Sequence, residues 1–186
     1  MAQAFLAFER VAGQWGAPPD VVEAAYDDVV ARYREPHRHY HTLEHIGEVL
    51  DRVHGTEVEL AAWYHDVIYD TRANDNEARS AAHAREWLTR LHTPNDLIAE
   101  VERLVLLTAG HEAEDSRGRE LVDADLAILT ADRGRYERYA RDVRAEYAHL
   151  DDDTWRAGRI AVLQSLRSVV ADDANIAWEL STLSPP

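Results

Sequence analysis

Three short groups of histidine and aspartate carry the residue types that could do chemistry: His41 with His45, the dipeptide His65-Asp66, and Asp123-Ala124-Asp125. Imidazole nitrogen and carboxylate oxygen are ligands for divalent transition metals, and with no cysteine in the chain any such site must use His, Asp and Glu. His65-Asp66 falls in a stretch that is apolar nearly all round, Leu60, Ala61, Ala62, Trp63, Val67 and Ile68. Burying an ionised carboxylate there is costly unless it is paired or binds metal. Taken alone, the dipeptide reads as a hydrogen-bonded His–Asp pair in a core. The spacing of four puts His41 and His45 on one helix face, and His45 shares the inward face of Val49 and Leu50. Asp125 lies on the stripe of Val122, Leu126 and Leu129, whereas Asp123 falls with Glu120 and Ala127 on a more polar face and reads as a surface charge. His45, His65, Asp66 and Asp125 therefore form a candidate ligand set. A mixed nitrogen and oxygen set suits Mn, Fe, Co, Ni or Zn, with Mg less natural, and leaves positions for water and substrate.

Helices must position these groups. The first is expected over Ala2 to Trp15 and is broken by Gly16-Ala17-Pro18-Pro19. Asp20 is the expected cap of a second, with the stripe Val21, Val22, Ala25, Tyr26, Val29, Val30 and Tyr33; Glu35-Pro36 ends it. Thr42 is the expected cap of a third, carrying Ile46, Val49, Leu50 and Val53. A fourth is predicted from Val58 to Tyr69 and belongs at the centre of a bundle. After a polar loop, Asp70 to Asn76, further helices are predicted over Glu77 to Leu91, after Pro94, over Glu120 to Thr130, and from Asp132 and Asp153, nine in all. No window alternates with period two, so the expected fold is all-α, a single-domain helical bundle over residues 1–186. Trp15, Trp87, Trp155 and Trp178 read as core, and so do Trp63 and Tyr64 beside the ligand set.

The chain has 186 residues, 46% of them hydrophobic and 30% charged, with ten histidines and a net charge of −15. That balance is globular, and it disfavours duplex nucleic acid as a partner because both surfaces are negative. No run is long enough to span a membrane, and Met1 to Phe8 lacks the features of a signal peptide, so a cytoplasmic home is expected. Arg32, Arg34, His37 and Arg38 make a local basic patch leading into His41. Arg34 and Arg38 are candidates for a substrate phosphate; residue by residue the same run reads as a solvated helix end. His37 and His39 read as solvated. Glu77, in the first turn of a helix, reads as a dipole-favoured acid or as a group supporting the site.

The order His…His-Asp…Asp across helices resembles the metal signature of the HD superfamily. Tyr40-His41-Thr42-Leu43-Glu44-His45-Ile46-Gly47-Glu48-Val49 is similar to the Tyr-His-Asn-x-x-His-Ala-x-Asp-Val segment of cyclic-nucleotide phosphodiesterases. That likeness implies a ligand at His45 and a general acid at His41. His65-Asp66-Val67-Ile68-Tyr69-Asp70-Thr71 resembles the His-Asp-Val-Val-Glu-Asp-Thr segment of stringent-response alarmone hydrolases. It implies ligands at His65 and Asp66 and a water-orienting role for Asp70, and departs from the pattern at Tyr69. Ala124-Asp125-Leu126 resembles the surroundings of the last ligand. The whole chain also resembles a small family of bacterial predicted HD phosphohydrolases, through Asp75-Asn76-Glu77-Ala78-Arg79-Ser80 and Leu121 to Leu129, with coverage of about His37 to Tyr147. HD enzymes often place another histidine between the pair and the last aspartate, and His111 matches that place as a candidate for a second metal or a phosphate.

The resemblance implies a metal-dependent phosphohydrolase acting on a phosphate ester of a nucleotide or similar small metabolite. An HD-type di-iron oxygenase using His111 and His41, and a nucleotide-binding module without turnover, are its alternatives. A plain helical bundle with polar core pairs is the third.

Overall fold

Apolar periodicity near 3.6 runs through most of the chain, and the computed structural model of the protein, which describes residues 2–183, is all-helical. Among the described residues there are ten α-helices: α1 (Ala2–Ala12), α2 (Pro19–Arg32), α3 (Leu43–Leu50), α4 (Thr56–Tyr64), α5 (Asn76–Arg90), α6 (Asn95–Leu107), α7 (Ser116–Asp125), α8 (Arg133–Glu146), α9 (Asp152–Leu166) and α10 (Ala174–Leu183). A 3-10 turn, Leu126–Thr130, follows α7 directly. By their contacts the residues group into two compact units, Met1–Ala124 and Asp125–Pro186. Asp125 is the last residue of α7, whose other nine residues belong to the first unit.

In the first unit α4 is the central element and packs on α1, α3, α5 and α6. Val58, Leu60, Ala61, Ala62, Trp63 and Tyr64 are all buried, as an apolar surface on every side requires. Phe8 and Tyr26 pack edge-on to Trp63, at centroid distances of 5.4 and 6.2 Å, so Trp63 is core. Asp28 of α2 gathers three donors on one oxygen: Arg32 Nε at 3.0 Å, His83 Nε2 at 2.6 Å and Trp87 Nε1 at 3.1 Å. Burial alone raises the Asp28 carboxyl, but the hydrogen bonds and charges of Arg32 and His83 outweigh it and hold it below the usual carboxylate range. Within the second unit α8 and α10 pack on the 3-10 turn, and α9 packs on α10.

Several boundaries differ from expectation. α1 ends at Ala12, three residues early. α2 begins at Pro19 with Pro18 as its cap, so Asp20 sits inside the first turn and favours the helix dipole there. α4 stops at Tyr64 rather than Tyr69, and the helix expected to reach Thr130 gives way to the 3-10 turn after Asp125. The tenth helix was not anticipated. Its inward face is broken by polar residues, Asn175 and Glu179, which blur the apolar period. Asn175 donates to the carbonyls of Leu129 (3.1 Å) and Ala131 (2.8 Å), and Glu179 is in an ion pair described below. Trp87 is buried as expected, while Trp15, Trp155 and Trp178 are only half-buried.

Candidate metal centre

Thr42 caps α3, its side chain accepting from the Glu44 amide at 3.3 Å, as the sequence suggested. That start fixes the phase that buries His45 with Ile46 and Val49. His45 is 2% exposed and His65 is 1% exposed. His65 is the C-cap of α4, and Asp66 lies in the turn beyond it. The dipeptide therefore closes the central helix instead of standing within it. Asp125 is half-buried at the end of α7, and Asp123, two residues earlier, is exposed.

Side chains of these residues converge. His45 Nε2 and His65 Nε2 are 3.3 Å apart. Asp66 Oδ2 is 3.2 Å from His65 Nε2 and 3.6 Å from His45 Nε2. Ligand atoms of His45, His65 and Asp125 all lie within 4.8 Å of one another, and this group could hold a metal ion. A circle through the three atoms of His45, His65 and Asp66 has a radius of about 2 Å, close to the roughly 2.0–2.2 Å bonds that these ligands make to zinc-like cations. The residues present thus fit a divalent metal in both chemistry and spacing.

The proton on His65 is placed by the backbone. Its Nδ1 is 3.0 Å from the Ala62 carbonyl, which can only accept, so Nδ1 carries a hydrogen and Nε2 is the nitrogen that faces the cluster. Burial alone would raise the Asp66 carboxyl, but the positive charge of His65 and His41 and hydrogen bonds from His45 and His65 hold it well below the usual carboxylate range. An ionised carboxylate is the form that ligates.

His41 is half-buried between two aromatic rings. Tyr69 packs on it at 4.2 Å and Tyr40 stands edge-on at 4.9 Å. The His41 and His45 rings are 5.9 Å apart, so His41 borders the cluster. Tyr69, the residue that departs from the alarmone-hydrolase pattern, is thus a wall for His41. The role of Tyr69 was not visible in the sequence, because its partner His41 lies far earlier in the chain, before α3 and α4.

Other expected groups fall elsewhere. Arg38 is a correction: instead of facing a phosphate it is buried, 5% exposed. Its guanidinium donates to Glu35 Oε2 (3.0 Å) and to the carbonyls of His41 (3.3 Å), Asp66 (2.7 Å) and Val67 (3.0 Å). Arg34 is exposed. His37 is exposed yet bonded, its Nε2 lying 2.9 Å from the Tyr69 carbonyl. Asp70 is exposed, and its Oδ1 accepts from the Arg72 amide at 2.9 Å in a local turn, so no contact with the cluster carries the water-orienting role. Glu77 is half-buried in the first turn of α5. His111 closes α6 in the left-handed region, φ 53°, its amide donating to the Leu107 carbonyl at 2.9 Å; it is outside the convergent group. Asn76 and Ser80, noted above only as part of a motif, hold the ligand turn. Asn76 exchanges two 3.0 Å bonds with the Asp70 backbone, and Ser80 Oγ bonds both the amide and the carbonyl of Ile68, at 3.0 and 3.3 Å.

Compared with protein-family models, with curated proteins and with solved structures, the chain matches none. No helix among the described residues is long and apolar enough to cross a membrane.

Proposed function

We propose that this protein is a metal-dependent phosphohydrolase acting on a phosphate ester of a nucleotide or similar small metabolite. The observation that carries the reading is the convergence of His45, His65 and Asp125, with the Asp66 carboxylate 3.2 Å from His65 Nε2 and the His41 ring at the border of His45. His45, His65, Asp66 and Asp125 would hold the ion, and their mixed donor set favours Mn, Fe, Co, Ni or Zn. When bound, such an ion supplies a hydroxide equivalent near neutral pH and polarises a phosphoryl oxygen. Of the chain's own groups, His41 would give the proton to the leaving oxygen. Its ring is held by Tyr69 and Tyr40, which limits the orientations it can take. Arg34, exposed in the segment leading into His41, would meet a substrate phosphate.

The test is elemental analysis of the purified protein together with phosphate release from nucleoside and sugar phosphates. Bound transition metal and a release activity lost in His65→Ala support the reading. Release that persists in His65→Ala, or protein that takes up no divalent metal, overturns it. His41→Ala should keep its metal and lose about 10²–10⁴-fold in kcat on esters with poor leaving groups, the usual range for general acid catalysis, with nitrophenyl phosphate hurt far less. Equal losses on both esters would remove His41 from the acid role.

A further inference from the structure

Three candidates outside the ligand set invite explanation: the Asp28–His83–Trp87 cluster, the half-buried tryptophans of the second unit, and the buried Arg38. The first is closed by its own donors, and nothing in the structure shows what would cover the second. Arg38 is different, because its partners are the backbone of the site itself.

The carbonyls of the last turn of a helix have no partner within it. Past α4 they are accounted for one by one. The Ala61 carbonyl takes the His65 amide (2.8 Å), that of Ala62 takes His65 Nδ1, and that of Tyr64 takes the Val67 amide (3.1 Å). The carbonyl of Trp63 accepts from Tyr33 Oη at 3.0 Å. Those of Asp66 and Val67 accept from Arg38. Arg38 also donates to the carbonyl of His41, four residues before ligand His45. A single planar fork therefore joins the backbone leading into His45 to the backbone carrying Asp66. Its guanidinium carbon is 5.1 Å from the Tyr33 ring centre and 5.4 Å from that of Tyr69, so it is also sandwiched. Glu35 meets its charge on the open side. Lysine could not reproduce this, since its ammonium has three donors and no plane.

We infer that Tyr33 and Arg38 are positioning residues that set the spacing of His45, His65 and Asp66, and so the affinity and geometry with which the site takes a divalent cation. This rests on the metal-centre reading above. Groups that orient ligands commonly change metal affinity by about 10–100-fold when lost. A role in stability alone would leave the affinity of the folded protein untouched.

Cobalt(II) is the probe, because its visible spectrum reports ligand geometry. The full chain is titrated with Co²⁺ as wild type, Arg38→Met, Arg38→Lys and Tyr33→Phe, with folding of each metal-free protein followed by circular dichroism. Asp28→Asn serves as a control that weakens the same unit without touching the ligand turn. The expected result is Co²⁺ affinity lower by about 10–100-fold in both Arg38 variants with an altered visible spectrum. Tyr33→Phe, which loses one hydrogen bond and keeps its packing, should fall by about 2–10-fold. Asp28→Asn should bind like wild type. Should Arg38→Met fail to fold, Arg38→Lys and Tyr33→Phe carry the same test. Wild-type affinity and spectrum in the folded variants would overturn the inference while leaving the metal centre standing. A wild-type protein that binds no Co²⁺ would instead overturn the metal centre and the inference with it.

Discussion

In the second unit Arg159 and Glu179, each 5% exposed, meet through two hydrogen bonds of 2.8 and 3.1 Å. Tyr139 Oη accepts from the same arginine at 3.2 Å, and Tyr136 Oη donates to Glu179 at 2.6 Å. Burial and the neighbouring Glu179 carboxylate push the Tyr136 hydroxyl far up, so it stays a donor. The ligand group on α3, α4 and α7 is equally buried at His45 and His65 but built differently. Its nitrogen and oxygen atoms lie close to one another, and the Asp66 carboxylate meets two imidazoles. One cluster balances its charge with a permanent cation and is complete. The other balances it with imidazoles, whose protons can be exchanged for a metal. Burial of polar groups is common to both; only the second leaves work for a ligand.

The contrast can be broken most decisively at α7. Asp125→Ala should abolish stoichiometric metal, while Asp123→Ala, exposed and on another face, should retain it. Elemental analysis decides, and the reverse pattern would show that the convergent group is not the metal site. Next in size is the closed cluster. Glu179→Ala should destabilise the protein by about 3–5 kcal/mol by stranding the Arg159 charge, and a paired Arg159→Met, Glu179→Leu change should recover much of it. Urea unfolding measures both, and neither should alter metal content. The smallest effect is expected at Asp28, whose carboxyl is held low by Arg32 and His83. A depressed carboxylate stabilises above its unfolded value near 3.8 and loses that stability as pH falls through the folded value. Asp28→Asn should therefore cost about 1–3 kcal/mol near neutrality and flatten the decline in stability below about pH 4. An unchanged acid branch would show that Asp28 does not supply it.

How far the sequence disclosed all this depends on the distance over which each feature is decided. His45 was legible because its inward phase is set by Thr42 and Val49, within one helix. The separation of Asp125 from Asp123 was legible for the same reason. The end of α4 was not: Val67 and Ile68 continue the apolar run, and no glycine or proline breaks it. The helix ends where Tyr33 and Arg38, some thirty residues earlier, take carbonyls that would otherwise seek helical partners. Arg38 was misread as a surface group because arginine is rarely buried, and only its backbone partners explain the exception. α10 was missed because Asn175 and Glu179 interrupt its inward stripe, although Asp172, whose carboxylate accepts from the Ala174 amide at 2.9 Å, was a readable start signal.

The ligand turn beyond α4 is held largely by side chains. The amide of Ile68 is bonded to Ser80 and that of Asp70 to Asn76, both on α5. Such amides exchange with solvent only when the side chain lets go, so the turn should share the opening free energy of the first half of α5 and not that of α4, to which it is covalently joined. Fraying at Asn76 would be read out as deuterium uptake at Asp70, six residues and one loop away.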